Sequence, residues 1–300
     1  MILTPEQMLE EGLRTAKVGA ANHSTYRKQY DFHKHYGSRP LDMADMWYDL
    51  HFTEIPGARL TEKERSAKGL KSFFIAHHFI WTYPKNAEML ASRFKICTSY
   101  AQGKPLWTWV AKIAALKDLK IVWLPQLDDP NSENFILSVD GTDFRVWEPK
   151  HPTLNQDPRQ MSHKFKHAAL KYEIAVSTVR SKICWISGPH RGGKHDLAIF
   201  REGLKHRIAP GKKLNVDRGY RSSRLTETML APPNEMDSPE LHNFKSRGRL
   251  RGETLNGRLK KYEILNQTFR HGRDKHKLAF EAVIVCVQYH MDNGRELFAV

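Results

Sequence analysis

The chain changes its rhythm near residue 130. Before that point, apolar positions recur at helical spacing. Thr4-Pro5-Glu6-Gln7 has the form of a capping box with proline at the first helical position, and predicts a helix to about Ala16. Residues 20–40 are polar and aromatic with little periodicity and read as loop. Between Thr61 and Phe79, acidic residues come early and Leu70, Phe73, Phe74 and Phe79 come later, the pattern of a helix running into a core. Asn86 reads as the N-cap of a helix over 87–94. After a polar break at Cys97-Thr98-Ser99, Pro105 opens another, with Leu106, Trp109, Val110, Ile113 and Leu116 on one face. Two helices joined by a polar turn, the second carrying Lys104, Lys112 and Lys117, fit either a helix-turn-helix or a plain helical bundle.

Two prolines and a polar cluster across residues 124–131 mark a boundary. Beyond it come short apolar runs of strand length: 135–139, ending at Asp140; 172–179; 183–187; and 214–216, ending at Asp217. Residues 196–204, between the last two, are helical in period and are stopped by Pro210-Gly211. Three strands, a helix and a fourth strand predict a mixed sheet with helices on its faces. Two further helical patterns cover 252–262 and 278–289. The expected organisation is a mainly helical N-terminal domain over 1–124, a linker over 125–134 and an α/β domain over 135–300.

Composition narrows the class. A 40% hydrophobic content with 7 Trp, 14 Phe and 10 Tyr excludes a disordered chain. The apolar run over 282–287 is far short of the ~20 residues of a spanning helix, and the first residues carry no secretory pattern, so a membrane protein is not expected. Cys97, Cys184 and Cys286 are scattered without a Cys-x-x-Cys, which argues against a zinc finger or a disulfide framework and for a reduced, intracellular chain. His163 and His167 sit four apart but lack the glutamate of a zincin.

Charge is unevenly distributed. The net charge is +15; residues 1–150 carry 20 basic and 18 acidic side chains, and residues 151–300 carry 28 and 15. A basic half beside a near-neutral one points to a polyanion, foremost nucleic acid, although a charged solubility surface would look the same.

Three acids then stand out. Asp140 and Asp217 each end a short apolar run and lead into turn residues, Gly141-Thr142 and Arg218-Gly219-Tyr220. Acids at such places project into the crevice beyond the strand ends. If the two strands are neighbours, the carboxylates converge and repel unless a cation such as Mg²⁺ or Mn²⁺ lies between them; taken singly, each is equally an ordinary turn residue. Glu253 is one of three acids among 11 basic residues over 241–278. On a helix it shares a face with Asn256, Gly257 and Lys260, and it fits either an ion pair with Arg249 or Lys260 or a more specific role.

Asp140-Gly141-Thr142, Gly192-x-x-His195-Asp196, Asp217-x-Gly219-Tyr220 and Glu253 followed by Gly257-Arg258-Leu259-Lys260 occur in that order, with 35 residues between Asp217 and Glu253. Together they resemble the DDE superfamily endonuclease domain of PIF/Harbinger-type transposases over roughly residues 135–290. The resemblance implies a ribonuclease-H-like α/β fold, with Asp140 ending the first strand, Asp217 ending the fourth and Glu253 on a later helix. It implies that these three hold two divalent ions, Mg²⁺ or Mn²⁺, ~3.5–4 Å apart, to cut and join DNA phosphodiesters. His195 and Asp196 would be supporting residues, with Asp196 first of all a helix-start acid. Arg251, Arg258, Lys260 and Lys261 are the expected contacts to the DNA backbone. The family also implies a separate Myb-like DNA-binding partner; a homo-oligomer is open, and a nuclear location is expected from the DNA substrate. The alternative from another class is a domesticated, catalytically silent DNA-binding protein that keeps the transposase fold.

Overall fold

The computed structural model of the chain describes residues 2–129, 131, 134–147, 157–220, 229–232 and 234–300. Part of the expected 125–134 linker lies outside the described residues. In chain order the elements are helices α1 Pro5–Thr15, α2 Thr25–Tyr36, α3 Pro40–Phe52, α4 Ala67–Thr82, α5 Ala87–Phe94, α6 Thr98–Gln102, α7 Lys104–Ala115 and α8 Lys117–Lys120; strands β1 Phe135–Arg145, β2 Ala169–Ser177 and β3 Ile183–Arg191; helix α9 Asp196–Glu202; strands β4 Lys213–Val216 and β5 Leu230–Ala231; and helices α10 Pro239–Leu259, α11 Glu263–Asn266 and α12 Arg273–Asp292. They form two compact units. One comprises Met1–Lys120, Leu259–Gln267 and His271–Arg295; the other comprises Ile121–Arg258, Thr268–Arg270 and Glu296–Val300.

The first unit is helical. Thr4 caps α1 with the expected reciprocal box to Gln7. Residues 20–40, expected as loop, contain α2. Ser24 caps its start, Gly37 ends it in the left-handed conformation, and the helix buries only Asp31, Phe32 and Tyr36. Tyr26 and Tyr30 stay exposed, so the apolar residues do not form a single buried stripe and the periodic signal is lost. The helix expected from Thr61 is broken at Ser66: a short 3₁₀ turn, Glu62–Arg65, precedes α4. α7 begins where Pro105 marks it, yet it buries Leu106, Trp107, Trp109, Val110, Lys112, Ile113 and Ala114. It packs against α4 and α12, and Lys112 is tied 3.1 Å from Glu64. A groove-reading helix needs an open face, and α7 leaves exposed only Lys104, Pro105 and Thr108.

The second unit is built on a five-stranded sheet in the order β3-β2-β1-β4-β5. β1, β2 and β3 are antiparallel neighbours, whereas β4 runs parallel to β1 and β5 parallel to β4. A short connection makes β2 and β3 an antiparallel pair, and the α9 crossover between β3 and β4 lets β4 run parallel to β1. Leu137, Val139, Ala175, Leu214, Val216, Phe200, Leu204 and Tyr220 form a core between the sheet and α9.

α10 is pinned to the sheet by polar side chains: Ser138 Oγ donates to the carbonyl of Gly248 at 2.7 Å, and Asn215 Nδ2 donates to that of Lys245 at 3.0 Å. The approach is close because residue 248 is glycine; an added Cβ would stand 1.8 Å from Asn215 Nδ2 and 3.0 Å from Ser138 Oγ. Gly248→Ala is expected to lower stability by at least roughly 1–3 kcal/mol, the usual cost of overpacking, as read from urea unfolding; an unchanged midpoint would refute this packing account. This mixed sheet flanked by helices, preceded by a helical N-terminal region, is a ribonuclease-H-like α/β architecture.

Candidate active site

β1 does not stop at Asp140 as its sequence pattern implied. It continues to Arg145 against β2, but its parallel pairing with β4 ends at Val139↔Val216. Asp140 and Asp217 are therefore the next residue on each of two adjacent parallel strands. There β4 turns away into a 3₁₀ turn, Arg218–Tyr220, and opens the crevice that α/β sheets use for chemistry. Asp140 lies two residues beyond Ser138, on the face covered by α10, and its Oδ2 accepts from Asn256 Nδ2 at 2.6 Å. Asp217 Oδ1 accepts from the Gly219 N–H at 2.7 Å.

Asp196, the first residue of α9, arrives from the other side of the sheet. A Cβ on Gly141 would stand 2.5 Å from Asp196 Oδ1, and a Cβ on Gly219 would stand 3.1 Å from Asp196 Oδ2. The Asp196 carboxylate thus lies between the turns that follow Asp140 and Asp217, in space that two glycines leave open. His195 is the exposed N-cap of α9, its ring stacked 5.8 Å from that of His163.

Glu253 is on α10, in the turn next to Asp140: a Cβ on its neighbour Gly252 would be 3.7 Å from Asp140 Cβ. Its side chain is 56% exposed and faces Arg249, with Arg249 Nε 3.6 Å away. The structure thus gathers Asp140, Asp217 and Asp196 at the strand ends, with Glu253 on the adjoining turn of α10 and its charge felt by Asp140. Among the described residues, no three acid, histidine or cysteine side chains are already grouped as a metal cage.

The acids are felt electrostatically. Burial first, then Asp217 and Asp196, raise the Asp140 carboxyl to about 7. Asp217 is also raised, by burial and Asp196, against the opposing pull of the Gly219 N–H, Arg249 and Lys171. Glu173 on β2 is raised to about 7 by burial, although Trp185 Nε1 and Tyr220 Oη donate to it at 3.2 and 3.4 Å.

A divalent cation fits this donor set. The oxygens are hard, and carboxylates repel one another when no cation separates them. Asp143 Oδ1, buried opposite Lys171, also lacks a hydrogen-bond donor. Sequence reasoning missed Asp143, Glu173, Lys171 and Asn256. Asn256 was legible only as a neighbour of Glu253 on a helix face.

The basic residues expected to touch DNA divide. Arg251 is 0% exposed. Its guanidinium donates to the carbonyls of Ser177 at 2.9 Å and Arg180 at 2.6 Å, and to that of Phe298. This corrects the expectation of a phosphate contact: Arg251 is a clamp joining α10 to the β2–β3 hairpin and the C-terminal segment. Arg258 is half-buried and donates to the carbonyl of Glu296 at 2.9 Å. α10 ends at Leu259, so Lys260 and Lys261 lie in the turn that follows, the first half-buried and the second exposed.

The sheet is ribonuclease-H-like, with acids lying beyond its first and fourth strands. The family model for DDE superfamily endonucleases matches residues 139–289, half of the chain, and the protein belongs to that family. At family level it is a transposase-like nuclease with DNA as the implied substrate. No curated protein and no solved structure matches the chain. Among the described residues, no helix is long and apolar enough to cross a membrane.

Proposed function

We propose that the protein is a metal-dependent DNA endonuclease and transposase of the PIF/Harbinger type, which cuts phosphodiesters and joins the freed 3′-hydroxyl to target DNA in the nucleus. Asp140, Asp217 and Glu253 hold Mg²⁺ or Mn²⁺, with Asp196 in support. One observation carries the reading: the pairing of β1 with β4 ends one residue before both Asp140 and Asp217. Two carboxylates from distant parts of the chain are thereby held side by side at a sheet crevice.

When bound, the divalent ions supply an acidified water or 3′-hydroxyl and charge stabilisation for the departing oxygen. The chain's own residues do the rest. Asn256 Nδ2 and the Gly141 N–H donate to Asp140 and the Gly219 N–H donates to Asp217, so each carboxylate is oriented by a fixed partner. Burial and its acidic neighbours make the Asp140 carboxyl a weaker acid, raised to about 7, so it would give up its proton as a cation binds. Arg258, Lys260 and Lys261 are the remaining candidates for steering the phosphate backbone, and such contacts weaken steeply with salt. A Myb-like protein that reads the DNA sequence is the partner this function implies.

The test is nicking of supercoiled plasmid in Mn²⁺, with EDTA and Asp217→Asn as controls. Nicking by the parent alone is expected, with DNA binding by the variant unchanged. If neither protein nicks while both bind DNA, the chain is a silent DNA-binding descendant of a transposase.

A further inference from the structure

Lys171 on β2 is only 8% exposed. Its Nζ lies 2.9 Å from Asp196 Oδ1 and 3.9 Å from Asp143 Oδ1. The β1–β2 register sets Lys171 opposite Asp143 and Glu173 opposite Gly141. Facing residues of an antiparallel pair point to one side of the sheet, so Lys171, Asp143, Glu173 and the space at Gly141 share the α9 side. Asp196 reaches into that space, between Gly141 and Gly219. A nearly buried ammonium is costly unless acids surround it, and here they come from β1 and α9. Its field also reaches Asp217.

We propose that Lys171 is a positioning residue: a tethered counter-ion that holds Asp196 between the two strand-end acids and stands in for part of the charge a divalent ion brings. This rests on the metal-dependent reading above. An ammonium fixed inside the cluster competes electrostatically with any cation entering it. It also lets the fold form before a metal arrives. Removing the charge therefore has two linked effects: the apo site becomes a stronger attractor for divalent ions, and the fold becomes dependent on them.

The experiment compares the parent with Lys171→Met, Lys171→Gln and Lys171→Arg, using MnCl₂ as the probe. Calorimetric titration is expected to show the Met and Gln variants binding the first Mn²⁺ at least about tenfold more tightly, with Arg within about threefold of the parent. Melting in EDTA is expected to be lowered in the Met and Gln variants and restored by Mn²⁺. A lysine of purely structural importance would lower the melting temperature equally with and without the metal.

Equal or weaker Mn²⁺ binding by both uncharged variants, beside a parent that binds, overturns the inference and leaves the metal-dependent reading intact. Binding by the variants but not by the parent supports the counter-ion and overturns that reading. Binding by none overturns both. Failure of both uncharged variants to fold even in Mn²⁺ overturns the counter-ion, since a metal could not then replace it.

Discussion

Asp140→Asn is expected to melt several degrees above the parent at pH 8 in EDTA and at the same time to lose metal-dependent nicking by at least about 10²–10³-fold. Burial and the neighbours Asp217 and Asp196 hold the Asp140 carboxyl at about 7, against an ordinary 3.8. Below about pH 4 it is protonated in folded and unfolded chains alike and changes nothing. Between about 4 and 7 the unfolded chain gives up the proton while the folded one keeps it, so stability falls as pH rises. Above about 7 the full cost is present. A shift of this size corresponds to about 2–4 kcal/mol once partial exposure is discounted. Asparagine carries no charge to desolvate and still offers an oxygen to Asn256. The advantage of the variant should therefore be absent at pH 4, grow to pH 7 and level off. Glu173 and Asp217 add slopes of the same sign in both proteins, so the difference between them reports Asp140 together with its repulsion of Asp217. Melting curves across that range check it, and a variant with no pH-dependent advantage would mean that Asp140 is not strained by its neighbours.

Arg251→Met is expected to cost about 3–5 kcal/mol of unfolding free energy, the scale for removing one partner from a buried charged network. Burial and Arg258 lower the guanidinium only to about 10, so it stays charged at neutral pH and serves three carbonyls at once. Lysine keeps the charge but lacks the planar fork that reaches the carbonyls of Ser177, Arg180 and Phe298 together. Arg251→Lys should therefore recover less than half of the loss in a urea titration. The dependence of DNA binding on salt separates this role from phosphate contact. A residue that neutralises a phosphate lowers the slope of log affinity against log salt by about 1 when removed. Folded Arg251→Met should leave that slope unchanged, and a drop of about 1 would restore the DNA contact that burial argues against.

The strand-end positions of Asp140 and Asp217 were legible in the short apolar runs that stop there, but each acid alone reads equally as a turn residue, and only the four motif blocks in order set them apart. The chain order of β1 to β4 and the α9 crossover followed from the same runs, whereas β5, two residues long, left no signal. Lys171 was hidden for a related reason: the apolar run of β2 is legible only from Tyr172, so the residue before it reads as flanking polar chain, although the strand begins at Ala169. Arg251 was misread because charge along a helix normally marks its solvent face. α10 instead spends Arg247, Arg251 and Arg258 on backbone carbonyls of residues 296–299, a partnership between distant segments that spacing cannot reveal. Glu253 was recognised by its place in a motif, and its ion pair with Arg249 is the ordinary partner its helix offers.

The last long helix carries a consequence for how this chain can be divided. α12 is buried along most of its length and packs against α7 and α3 within the helical unit, although it follows the whole sheet in sequence. The nuclease portion is therefore an excursion: the polypeptide leaves the helical body after Lys120 and re-enters it at Leu259. No single scission yields two self-sufficient pieces. Shuffling the catalytic portion onto another protein would have to carry the C-terminal segment Glu296–Val300 with it as well, and a helical fragment ending before the sheet would lack the hydrophobic staff that α12 supplies.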